Sequence, residues 1–177
     1  SNLFEMYTHA DWTLYPDITE LAPVRTMLPG HSYLGAVSWE PPTELPSWWN
    51  ELPQDKPIVY LSVGSSGAKG IFVAAVEALA DEDVTVIAAT AGGDVPADLP
   101  LNFYVAPYLP GTQAAARADL VICNGGSGTV YQALAQGKPV LGIPANADQY
   151  LTSERVSAIV AGELIRSGRV TADALRH

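Results

Sequence analysis

The residues of this chain best suited to chemistry gather in "NGGSGT", Asn124 to Thr129. Its glycines, Gly125, Gly126 and Gly128, let the backbone approach a ligand closely, and a helical pattern begins within the motif. The amides of Ser127, Gly128 and Thr129 would open that helix, whose positive end favours an anion. The hydroxyls of Ser127 and Thr129 and the amide of Asn124 add donors without adding net charge. Such a loop can neutralise a diphosphate with neither Lys nor metal; a capped tight turn is the plainer alternative. Of two better-known phosphate loops, one is excluded and the other fits poorly. No Lys follows the glycines, as a Walker A loop requires. A dinucleotide fingerprint wants a small residue where Tyr131 stands. Asp148 lies at the spacing of a ribose-binding acid, but several residues beyond the strand-like "VLGI" rather than at its tip.

The elements that must position this loop are regular from residue 57 onward. "PIVYLSV", "VTVIAAT", "LNFYVA", "DLVIC" and "KPVLGIP" read as strands, with a further short one at "GELIR". "IFVAAVEALA", "TVYQALAQG" and "YLTSERVSAIVAG" read as helices, the second closed by a glycine. "TADALRH" opens another, with Thr171 as its N-cap. Alternation at this spacing predicts an α/β fold, a Rossmann-like doubly wound parallel sheet in three layers, α/β/α. Ligands bind such sheets beyond the carboxyl ends of the strands. The loops to inspect are therefore 64–70, 91–100, 106–112, 124–128 and 144–149. Asp81-Glu82-Asp83 has the Asp-x-Asp form of a metal-diphosphate site. It falls on the opposite edge, between a helix and the next strand, so a solvated turn is expected and no metal ligand.

Residues 1–55 differ from the remainder at 56–177. They are rich in Pro and aromatics and read as an extended arm, with a short strand near "SYLGAV" and a helical turn around Ser47-Trp48-Trp49. The two Trp are expected to cover an edge of the core. The formal net charge of −10 argues against nucleic-acid or anionic-membrane partners, which want clustered Lys and Arg. Hydrophobic residues make up 48% of the chain and charged residues 16%, which excludes a disordered segment. No apolar run approaches a transmembrane span, and no signal peptide is evident. The single cysteine, Cys123, is expected to be a buried small hydrophobe in a chain suited to the reducing cytoplasm.

"VYLSVGSSG" and "YVAPYLPGTQAAARADLVICNGGSGTVYQALAQGKPVLGIPANADQYLTSERV" resemble the C-terminal half of GT-B nucleotide-sugar glycosyltransferases. The likeness is to the UDP-glycosyltransferase and macrolide glycosyltransferase group. Even "LYPDITEL…LGAVSWEPP" is similar to the approach to that family's interdomain linker. The resemblance implies donor-binding roles. Ser65 and Ser66 would contact phosphate or lie under the sugar, and Tyr108 and Pro110 fall where an aromatic stacks on the base. Gly125, Gly126, Gly128 and Thr129 would cradle the diphosphate, Gln132 would reach the ribose hydroxyls, and Asp148 and Gln149 would read the sugar. For that last pair, an N-cap Asp for the following helix is the alternative.

The sequence departs from the family at Asn124, where His is common, and at Gln132, where Glu is common. Both changes are polar and nearly isosteric, which suggests a variant donor site. The resemblance further implies an inverting enzyme whose general base is a His of an N-terminal acceptor domain, with a UDP- or dTDP-sugar as substrate and no cofactor. No catalytic residue is assigned in this chain: His9, His31 and His177 are expected to be surface residues. The acceptor domain and the last helices are expected to lie outside the chain, leaving a donor-binding piece inactive alone. A separate subunit completed by a partner chain, an epimerase, or a non-catalytic nucleotide-sugar-binding module are the competing readings.

Overall fold

A computed structural model describes residues 9–66 and 70–176. His177 and part of the 64–70 loop lie outside the described residues. The chain forms two compact units, Ser1–Ser38 and Trp39–His177. The second unit begins well ahead of residue 56, where the strand pattern becomes regular, because Glu40 and Trp49 are hydrogen-bonded to it.

In the first unit, β1 (Thr13–Tyr15) pairs in parallel with β2 (His31–Tyr33). The strand expected near "SYLGAV" starts earlier and stops sooner, since Gly35 takes a left-handed φ of +84°. β1 was not legible in the sequence, being too short to establish a period. His31 is not a free surface residue: it is half-buried, and its Nδ1 lies 2.6 Å from the Tyr15 hydroxyl. His9 is exposed.

The second unit holds β3 (Ile58–Ser62), α1 (Ile71–Leu79), β4 (Thr85–Ala89), β5 (Phe103–Ala106), α2 (Gly111–Arg117) and β6 (Leu120–Cys123). It continues through α3 (Ser127–Ala135), β7 (Val140–Gly142), α4 (Ala147–Ala158), β8 (Gly162–Leu164) and α5 (Ala172–Arg176). All six strands of its sheet run parallel in the order β5-β4-β3-β6-β7-β8. Chain direction across the sheet reverses between β3 and β6, the switch point beyond which this architecture binds ligands. Every residue of β3 and β4 is buried, which accounts for their continuous apolar runs. Leu61, Ile71, Ala75, Val86 and Ile122 form the middle of the core.

Hydrogen bonds fix the ends of these elements. The Asp119 carboxylate accepts from Ile58 N–H at 2.8 Å, aligning the starts of β3 and β6. Thr171 Oγ1 accepts from Ala174 N–H, the cap expected for α5. Arg176 donates to the carbonyls of Glu77 and Ala78, among the last carbonyls of α1, which lack partners within the helix. Trp49 is buried, with the Arg117 guanidinium 5.0 Å from its ring centroid, while Trp48 packs on Tyr104. Asp81-Glu82-Asp83 lies between α1 and β4, at the amino ends of the strands, and Asp83 pairs with Lys56 at 2.8 Å. Among the described residues, no helix is long and apolar enough to cross a membrane.

Candidate functional site

Beyond the carboxyl ends of the strands opens a cleft of about 320 Å³. Tyr60, Ser62, Gly64 and Ser65 enter it from β3 and its loop, Tyr108 and Leu109 from the loop after β5, and Gly128, Thr129 and Gln132 from α3. Trp39, Glu40, Pro41 and Thr43 complete its wall. The cleft thus brings together Ser65, Tyr108, Gly128, Thr129 and Gln132 of the sequence-derived set. Ser66, Pro110, Asn124, Gly125, Gly126, Ser127, Asp148 and Gln149 do not line it.

The start of α3 has an unusual electrostatic character. Gly126 stands at its N-cap with φ −65° and ψ 137°, no side chain caps the helix, and no acidic residue sits in its first turn. The N–H groups of Ser127, Gly128 and Thr129 have no acceptor among the described residues, and Ser127 and Gly128 are exposed. Uncapped amides at the positive end of a helix form a ready anion site. The plainer alternative is present in part, as an Asn124 side-chain turn that takes Gly126 N–H, and it leaves the first three amides of α3 uncapped.

Asn124 serves the loop itself. It is 6% exposed; its Oδ1 accepts from Gly126 N–H at 3.0 Å, and its Nδ2 packs against Gly64 of the neighbouring loop. A Cβ on Gly64 would stand 2.6 Å from that nitrogen, and φ of +61° also favours glycine there. Asn124 thereby holds its own loop and packs closely against the loop after β3 across the switch point.

Gln149 stitches two loops together. It is 2% exposed, its Oε1 accepts from Ala145 N–H, and its Nε2 donates to Ser66 Oγ at 3.1 Å. The N-cap of α4 is Asn146, whose Oδ1 accepts from Gln149 N–H, so the cap considered for Asp148 belongs two residues earlier. Asp148 is exposed in the first turn of that helix. Close packing brings α4 this near: Gly125 and Gly142 both face Ser153, and a Cβ on either would overlap its Oγ.

On the opposite wall, Tyr108 is 60% exposed and its hydroxyl reaches the Ala91 carbonyl at 3.5 Å, leaving its ring at the cleft. Pro110 is buried as the residue preceding α2, with φ −66° suited to a helix start. Gln132 is buried, and it fits only because Gly111 lacks a side chain. Its Nε2 donates to Glu40 Oε2 at 3.0 Å, and the same oxygen accepts from Thr112 N–H at 2.9 Å, near the start of α2. Glu40 and Trp39 were missed in the sequence, because "SWEPP" lies in the arm and has no periodicity. The one usable signal was a Trp-Glu pair placed before two prolines.

Burial pushes the Tyr60 hydroxyl up to about 12, so it remains a neutral donor in the cleft wall. Burial likewise raises the Cys123 thiol to about 11, and Cys123 is the inert interior residue expected. Among the described residues, no group of His, Cys, Asp and Glu is arranged to hold a metal ion.

Comparison with known proteins gives this geometry a family. Residues 71–177 match the family described as erythromycin biosynthesis protein CIII-like, C-terminal domain. A PGL/p-HBAD biosynthesis glycosyltransferase of Mycobacterium tuberculosis (strain ATCC 25177 / H37Ra) is 48% identical over 97% of this chain and 40% of its own length. A PGL/p-HBAD biosynthesis rhamnosyltransferase of Mycobacterium bovis (strain BCG / Pasteur 1173P2) is 47% identical over 96% of this chain and 38% of its own. The chain therefore spans about two fifths of the length of these curated relatives. The solved glycosyltransferase VinC, in complex with DTDP, superposes with a TM-score of 0.67 at 28% identity, covering 80% of this chain and 36% of that one. The fold is that of a GT-B C-terminal domain.

Proposed function

The chain belongs to the family of erythromycin biosynthesis protein CIII-like C-terminal domains, and from that premise we propose that it is the donor-binding part of an inverting glycosyltransferase. Its substrate is a UDP- or dTDP-sugar, and the sugar passes to a hydroxyl of a small-molecule or lipid acceptor. The observation that carries this reading is the uncapped start of α3, which meets the exposed ring of Tyr108 and the polar Gln132 in one cleft. These three features suit a diphosphate, a base and a ribose in that order. The dTDP held by VinC, a relative in fold and sequence, supports a thymine or uracil nucleotide.

In this mechanism the acceptor hydroxyl attacks the anomeric carbon, and the nucleoside diphosphate leaves with the electron pair of the broken glycosidic bond. The amides of Ser127, Gly128 and Thr129 stabilise the charge on that diphosphate from fixed positions, without reorganisation. Asn124 uses its carboxamide oxygen within the loop and, being uncharged, adds no cation there. Ser127 and Asp148, both exposed, remain open to the phosphate or the sugar. The general base and acceptor pocket belong to an N-terminal domain, of the same chain or a partner, and the reaction is placed in the cytoplasm. The absence of a cation at Asn124 also favours a second reading, a nucleotide-sugar-binding module without turnover.

Isothermal titration with UDP, dTDP, GDP and inorganic phosphate tests the proposal. UDP or dTDP is expected to bind with micromolar affinity and inorganic phosphate at least about tenfold more weakly, since binding energy comes from ring stacking as well as phosphate. Failure of both UDP and dTDP to bind would refute it. Sugar transfer by the complete protein separates the enzyme from the binding module.

A further inference from the structure

We propose that Glu40, on the arm, supplies the carboxylate that reads the ribose hydroxyls of the nucleotide. This rests on the donor-binding reading above and adds a residue to that site.

Glu40 lines the cleft beside Gln132 and Gly111. Both of its hydrogen bonds fall on one oxygen, Oε2, which takes Gln132 Nε2 and Thr112 N–H. Oε1 has no partner among the described residues, so half of the carboxylate's acceptor capacity is uncommitted at the cleft. The two bonds that hold Oε2 fix the side chain in place, to the start of α2 on one side and to α3 on the other. A preorganised carboxylate suits the 2′,3′-diol of UDP, because two hydroxyl donors meet strong acceptor sites and the charge strengthens each bond; with dTDP the single 3′-hydroxyl makes one such bond. Gln132 alone offers only a neutral carbonyl oxygen as acceptor, and its Nε2 already donates to Glu40. The pair therefore acts as one unit, with Gln132 placing Glu40. The acid that reads the ribose comes from a segment 92 residues away in sequence from the helix that holds it.

The test is a cycle over ligand and residue. UDP and 2′,3′-dideoxyuridine diphosphate are titrated into the whole chain and into its Glu40→Gln variant, with the thymidine pair run in parallel. Wild type is expected to bind UDP about tenfold or more tighter than the dideoxy analogue, as charge-assisted hydrogen bonds imply. E40Q should lose most of that preference while binding the dideoxy analogue within about twofold of wild type. Equal loss for both ligands assigns Glu40 a purely structural role and overturns the proposal. A wild type blind to the ribose hydroxyls overturns it without any variant, whatever the folding of E40Q. If no nucleotide binds the wild type at all, the donor reading falls first and this inference with it. If nucleotides bind but the ligand preference survives in E40Q, only the inference falls.

Discussion

Asn124 and Gln149 sit at positions that the family resemblance assigns to ligand, yet their side chains serve the protein's own loops: Asn124 holds the loop after β6 and packs on Gly64, and Gln149 bonds the loop after β7 to the loop after β3. Such roles are invisible in a sequence, because the partners, Gly64 and Ser66, are brought close only by the pairing of β3 with β6. The glycine motif itself was legible, since its chemistry is local: a strand, three glycines and a helix start suffice. Cys123 was legible for the same reason, lying inside an apolar run. Its behaviour gives a residue-scale prediction. The folded chain should resist thiol reagents near pH 8 and react only on denaturation, and rapid labelling of the native protein would contradict its burial. With the thiol held at about 11 against an ordinary value of 9.0, the folded state retains the proton longer than the unfolded one. That contribution to stability is complete below pH 9 and is lost as pH rises toward 11; Tyr60, raised to about 12, acts in the same sense above pH 10. Urea unfolding across pH 8 to 11 should show the decline, and a Cys123→Ala variant should show less of it.

The strands of the main sheet and its helices other than α2 were legible at the scale of elements because each repeats one signal over several residues; α2 (Gly111–Arg117) was not assigned. Buried parallel strands give apolar runs, and α3 ends where Gly137 adopts φ +67°. β1 escaped because its three residues carry no such signal. The close approach of α4 escaped because it depends on residues from three elements. Gly125 precedes α3, Gly142 ends β7, and Ser153 on α4 lies against both. A Gly142→Ala substitution would place its Cβ 2.9 Å from Ser153 Cβ and inside the radius of Oγ. The expected loss is ~1–3 kcal/mol, typical of overpacking. Ser153 Oγ is buried without a hydrogen-bond partner among the described residues. Ser153→Ala should therefore be neutral or stabilising by up to ~1 kcal/mol, and should restore part of the G142A loss. Chemical denaturation of the two single variants and the double variant measures the coupling; a G142A chain as stable as wild type would remove the steric argument.

For the molecule as a whole, alternating strands and helices disclosed the doubly wound sheet and hence the edge at which to look. They did not disclose that Trp39, Glu40, Pro41 and Thr43 line the cleft, since no local pattern ties Glu40 to Thr112 or Gln132. The switch point between β3 and β6 has a further consequence, for the order in which the protein assembles. β4 and β5 follow β3 in sequence and add outward on one side; β7 and β8 follow β6 and add outward on the other. Among the described strand pairs of this sheet, only the β3–β6 seam joins residues as distant as Ile58 and Asp119, 61 positions apart. Closing that long loop costs chain entropy before any pairing rewards it, so the two halves of the sheet should form ahead of their union. The cleft straddles the seam and exists only once it closes. In stopped-flow refolding, recovery of nucleotide binding should lag the far-UV signal of the strands and helices, and simultaneous recovery would show the seam forming early. A nucleotide clasped across it would then act as a late fastener, slowing the separation of two half-sheets that the chain joins last.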